Sequence, residues 1–113
     1  MANSFVNKKA DLTSNSATTL YTVPSATTAV IKSILVSEDS GNADTITVTI
    51  TDTSDAVFSL FKTKAISANA TTELLSATLV LQESEVLKVT AATANRLHVV
   101  VSALEIKPRE VTS

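Results

Sequence analysis

Asp44-Thr45-Ile46-Thr47-Val48-Thr49-Ile50-Thr51 decides the fold. Ile46, Val48 and Ile50 recur at a spacing of two with threonine between them, so an extended chain puts the aliphatic side chains on one face and the hydroxyls on the other. A helix would scatter the three around its circumference and crowd a run of branched β-carbons against its own preceding turns. The stretch predicts a half-buried β-strand.

Outward from it, the chain repeats the pattern in short blocks rich in Thr, Ser, Ala and Val. Residues 18–23 end at Pro24, which cannot donate to a ladder and suits a strand end. Residues 29–37 carry apolar groups on both faces: strict alternation sets Val30, Ile34 and Val36 against Ile31 and Leu35. Residues 57–66 set Phe58 and Leu60 against Val57 and Phe61. Residues 71–81 break near Ser76-Ala77 into two short pieces. Residues 86–91 alternate, and 96–106 form the longest block. Residues 5–12 add an N-terminal strand or an extended arm. The connectors are Glu38-Asp39-Ser40-Gly41-Asn42-Ala43, Asp52-Thr53-Ser54-Asp55, Ser67-Ala68-Asn69-Ala70, Gln82-Glu83-Ser84-Glu85 and Ala92-Thr93-Ala94-Asn95. Gly41 is the single glycine, so the other turns rely on Asn, Asp and Ser or on longer loops.

No segment shows helical spacing with caps. About eight short strands at this spacing predict an all-β fold, an antiparallel β-sandwich of jelly-roll type. A chain of 113 residues fits one domain. Its expected layout is an arm or extra strand over 1–17, the sandwich over 18–106 and a tail over 107–113. Hydrophobic residues make up 44% of the chain, yet Phe5, Tyr21, Phe58 and Phe61 are its only aromatics. The core must be built from Val, Leu, Ile and Ala.

Composition narrows function. Cysteine is absent, which removes disulfides, thiolate metal sites and cysteine nucleophiles. Lys8 and Lys9 lead into Ala10-Asp11-Leu12-Thr13 and not into an apolar run, so no export signal is expected. Apolar runs such as Val99-Val100-Val101 fall far short of the ~20 residues of a membrane helix. The net charge is −2 and the basic residues are dispersed, with Lys62 and Lys64 the nearest approach to a patch, so neither nucleic acid nor membrane is expected as a partner.

Candidate chemistry is thin. His98 is the one histidine and sits mid-strand between Leu97 and Val99. Neither a nucleophile elbow nor a glycine-rich phosphate loop occurs. Asp39 and Asp44 flank one turn and Asp52 and Asp55 the next, a placement that could serve calcium but that more simply caps the turns. Glu83 and Glu85 read as a charged turn, and the sequon Asn69-Ala70-Thr71 matters only in a secretory pathway. The expectation is no enzyme, no cofactor and no metal site.

The chain does advertise surface to bury. In 96–106, Leu97, Val99, Val101 and Ala103 share one face, and Val100, Leu104 and Ile106 share the other. Strands apolar on both faces need cover on both sides, either as central sandwich strands with short loops over them or from another chain, and the second reading makes Val99, Val100, Val101, Leu104 and Ile106 candidates for contact. Left as an edge, this strand would invite uncontrolled pairing, and Lys107-Pro108-Arg109 stands directly after it as a guard.

The order of blocks resembles a family of small tailed-phage virion proteins, many from phages of marine bacteria and cyanobacteria. The resemblance is carried by Leu20-Tyr21-Thr22-Val23-Pro24 and Thr28-Ala29-Val30-Ile31-Lys32-Ser33-Ile34-Leu35-Val36. It continues through Thr45-Ile46-Thr47-Val48, Glu73-Leu74-Leu75, Leu79-Val80-Leu81 and Val86-Leu87-Lys88-Val89, and closes on 97–106. Where such proteins often have glycine, after the first proline and before the penultimate strand, this chain has Ser25-Ala26 and Ser84. The resemblance implies a β-sandwich or jelly-roll component of the virion, assembled in the host cytoplasm. Within that family the expected role is a capsid decoration or cement protein, a homo-oligomer (a trimer, since decoration proteins often sit on three-fold axes) bound to the major capsid protein or another virion protein. The alternative is a receptor- or glycan-binding module of a tail fibre or neck, which the scarcity of aromatics disfavours. An accessory β-domain of a secreted enzyme is disfavoured by the missing export signal.

Overall fold

A computed structural model describes residues 3–107. Among the described residues the fold is all-β, with nine strands and no helix. They are β1 (Asn3–Asp11), β2 (Thr18–Thr22), β3 (Thr28–Glu38), β4 (Asp44–Thr51), β5 (Val57–Ile66), β6 (Thr71–Glu73), β7 (Leu79–Leu81), β8 (Val86–Ala91) and β9 (Leu97–Ile106).

Two sheets form, with every pairing antiparallel. The first has the order β1-β9-β3, with β6 and β7 both hydrogen-bonded to the far side of β3. β7 pairs with Ala29 to Ile31 and β6 with Leu35 to Ser37, so they act as two halves of one interrupted strand. The second sheet has the order β2-β8-β4-β5. With β6 and β7 counted as one, successive strands alternate between the sheets except at the β4–β5 hairpin, and the order is that of a jelly roll.

The core lies between the sheets. β4 alternates as its residues require: Ile46 and Val48 are fully buried, Ile50 nearly so, and the threonines point out. β9 turns Leu97, Val99, Val101 and Ala103 inward. At roughly 1.5–3 kcal/mol for each fully buried aliphatic side chain, such rows supply most of the driving force. Tyr21 is the one aromatic among the buried apolar residues.

Two strands depart from strict alternation. A bulge at Lys32 puts both Lys32 and Ser33 against Ser102, so the inward set of β3 is Ala29, Ile31, Ile34 and Val36, while Val30 and Leu35 face out. In β5 the register slips on either side of Val48, which brings Phe58 opposite Ile50 and Phe61 opposite Val48, on one face and not on two. Nor is β9 an edge: β1 covers one side over nine residue pairs and β3 the other. Of the proposed guard only Lys107 is described; Pro108 and Arg109 lie outside the described residues.

Candidate functional site

β1, β9, β3 and the β6/β7 pair lie side by side, and directly opposed residues on neighbouring strands point to the same face. The outer face of this sheet is therefore read across the strands. One row runs Phe5, Leu104, Val30, Val80. Phe5 is 79% exposed and Val80 50%, with Leu104 and Val30 half-buried between them. A second row, four residues along, runs Lys9, Val100, Leu35, Glu73. Between them lies a polar row of Asn7, Ser102 and Ser33, with Lys32 beside it. Phe5, Asn7, Lys32 and Ser102 line a shallow depression at this point. Beyond the second row, Asp11, His98, Ser37 and Thr71 close the face.

The outer face of the second sheet is different in kind. β4 presents Thr45, Thr47, Thr49 and Thr51, opposite Thr90, Lys88 and Val86 of β8. Hydroxyls and a lysine dominate it, as expected of a solvated sheet face.

Of the candidate contact residues, Val100, Leu104 and Ile106 lie on the outer face of the first sheet. Val99 and Val101 do not: both are fully buried between the sheets, because alternation along β9 sends odd-numbered residues inward. Phe5, Val30, Leu35 and Val80 belong to the same surface, and no single segment signals them.

Of the titratable candidates, His98 and Asp39 meet, while Asp44 and Asp52 are tied to backbone amides. His98 sits between two carboxylates, Nε2 at 3.1 Å from Asp11 Oδ1 and Nδ1 at 3.4 Å from Asp39 Oδ2. Ser37 is its neighbour on β3, but both ring nitrogens face carboxylates and neither is turned to a serine hydroxyl as a nucleophile–base pair requires. Asp52 Oδ1 accepts from the Ser54 amide at 2.9 Å, the Ser54 hydroxyl at 2.8 Å and the Ala56 amide at 3.0 Å. These bonds, the hydroxyl's first, hold its carboxyl below the usual range. Asp44 accepts from the Thr93 amide at 3.1 Å. Among the described residues no cluster of three or more His, Cys, Asp or Glu side chains is placed to hold a metal ion.

Two buried carboxylates were not singled out by the sequence. Glu38, 1% exposed, ends β3 and gathers the loops before β4 and β6. Its oxygens accept from the amides of Ser40 at 2.9 Å, Gly41 at 3.1 Å, Asn42 at 3.2 Å and Asn69 at 3.0 Å, and from the Ser40 hydroxyl. Burial by itself would push this carboxyl up; the Ser40 hydroxyl and the ring of amides outweigh it and hold it at about 2. Glu105 turns inward from β9 and accepts from Tyr21 Oη at 2.5 Å, with Lys107 Nζ 3.7 Å from its other oxygen. A charged residue directly before a turn-forming run is a signal for Glu38; Glu105 follows from extending the inward alternation of β9 by one step.

No protein-family model matches the chain, and a comparison with curated proteins finds no significant match.

Proposed function

We propose that this chain is a structural protein of a tailed-phage virion, a capsid decoration or cement protein that works as an oligomer and stabilises the particle by covering aliphatic sheet surface. The observation that carries the proposal is the row Phe5, Leu104, Val30, Val80 across the outer face of the first sheet, reinforced by Val100 and Leu35. An antiparallel sheet facing only water is normally polar on that side, as the threonine face of the second sheet is. Contacts made only in the assembled state add their free energy to that state by mass action. The order of sequence blocks supplies the link to virions. The glycan-binding alternative has little to stand on, since the one tyrosine is buried and there is no tryptophan. The resemblance implies a trimer.

The test is to express the chain with the major capsid protein of the genome that encodes it and to sediment the assembled shells. The chain should travel with the shells in fixed proportion and raise their resistance to heating. A chain left at the top of the gradient overturns the proposal.

A further inference from the structure

The outer face of the first sheet is complementary to itself, and we infer that its occupant is a second copy of this chain, packed face to face about a two-fold axis that runs parallel to the strands between β9 and β3. This deepens the structural reading above by naming the surface and the partner. Such an axis exchanges β1 with the β6/β7 pair and β9 with β3. In the second row, Lys9 then meets Glu73 of the second copy, Val100 meets Leu35, and each contact occurs twice, as an isologous interface requires. In the first row, Phe5 meets Val80 and Leu104 meets Val30. The polar row between them sets Ser102 and Asn7 against Ser33 and Lys32. At the end of the face Asp11 comes opposite Thr71, and His98 opposite Ser37. No two like charges are directly opposed, and apolar meets apolar in both aliphatic rows.

The dimensions agree with a pair. Four strands about 4.8 Å apart and nine residues long at about 3.3 Å each present on the order of 600 Å² per copy. Two copies together then bury about 1,200 Å², the lower end of the range for a specific complex. Packed sheets cross at about 30°. That rotation is about the normal through the middle of the face, which lies about 10 Å from Lys9, so it displaces Lys9 from Glu73 by roughly 5 Å, within reach of a lysine side chain.

The experiment uses the absence of cysteine in the native chain. Phe5→Cys and Val80→Cys are made separately, mixed and treated with a short bismaleimide. On this arrangement the mixture cross-links several-fold more than either variant alone, because each position lies opposite the other and not opposite itself. Light scattering after gel filtration, at tens of micromolar, should give about twice the 11.8 kDa chain mass. Lys9→Glu should weaken the pair at least ten-fold, and Leu104→Asp should give a monomer whose far-ultraviolet circular dichroism is unchanged. A native monomer, a trimer, or cross-linking dominated by the single variants overturns the inference. The outcomes separate from those of the shell experiment. A monomer that binds shells removes the pair and leaves the virion role; a dimer that ignores shells does the reverse.

Discussion

Tyr21→Phe tests how the two sheets are held together. Tyr21 belongs to β2 in the second sheet and Glu105 to β9 in the first, and the 2.5 Å bond between them crosses the sandwich. Both residues are buried, Tyr21 at 2% exposure and Glu105 at 7%. Removing the hydroxyl leaves a carboxylate oxygen without its donor in a place water does not readily reach. Hydrogen bonds to charged groups contribute about 1.5–3 kcal/mol. The middle of that range, about 2 kcal/mol, corresponds to a fall in Tm of roughly 8 °C for a domain of this size. Urea and thermal unfolding followed by circular dichroism measure it. The decisive comparison is the double variant Tyr21→Phe/Glu105→Leu, in which neither partner is polar and most of the loss should return. A Tyr21→Phe variant within about 0.5 kcal/mol of the native chain, or an equal loss in the Glu105→Leu background, would refute the reasoning. Burial, then the bond to Glu105 and its charge, push the Tyr21 hydroxyl well above its ordinary value. A group whose pKa is raised on folding stabilises below its unfolded pKa and loses that contribution as pH rises. The native chain should therefore lose stability above a pH of about 10, and Tyr21→Phe should lose this dependence.

Glu38 has the opposite sign. With its carboxyl at about 2 in the folded chain against an ordinary 4.5, its contribution is complete above pH 4.5 and fades as pH falls toward 2, so Glu38→Gln should flatten the fall in Tm across that window. Ala26 and Ser84 hold positive φ angles, 54° and 68°, that glycine adopts freely. Ala26→Gly and Ser84→Gly should each raise the urea midpoint, by a net stabilisation of about 0.5–1 kcal/mol once the entropy of glycine in the unfolded chain is set against the relieved strain.

Much of the fold was legible because period-two alternation is a local property. The β4 stretch, the break within residues 71–81 and the limits of β5 and β8 follow from it directly. The faces of β3 were misassigned because one extra residue at Lys32 reverses the parity of everything after it, and no residue type announces a bulge there. The same holds for Phe58 and Phe61, placed on one face only by slips in the β4–β5 register. Half of the candidate surface was readable in β9, whose Val100, Leu104 and Ile106 stand out in one strand. The other half was not, because Phe5, Val30 and Val80 come from three distant segments and become neighbours of Leu104 only through the strand order. Ala26 and Ser84 both take the left-handed region, a demand of their turns that period-two alternation does not reveal.

A chain with one glycine must close its turns by other means, and this constraint reaches the candidate site. Ala26, Asp55, Thr63, Asn69, Ser84 and Asn95 all adopt positive φ. Thr63, β-branched and costly in that region, lies inside β5 at a slip in its register and is held by the hydrogen bond its amide donates to Thr47 Oγ1 at 3.0 Å. The carboxylates supply further support. Glu38 binds four backbone amides, Asp52 closes the β4–β5 hairpin, and Glu73 accepts from the Ile34 amide at 2.8 Å and the Leu75 amide at 3.2 Å where β6 breaks off. Acidic groups committed to backbone amides in this way have few lone pairs left to ligate a metal ion or orient a substrate. Glu73 nevertheless remains exposed at the sheet edge, its charge maintained because the Ser33 hydroxyl and the backbone amides outweigh the effect of burial. A side chain that secures the interrupted strand thus keeps its negative charge on the rim of the aliphatic face, where the Lys9 ammonium of a second copy would meet it.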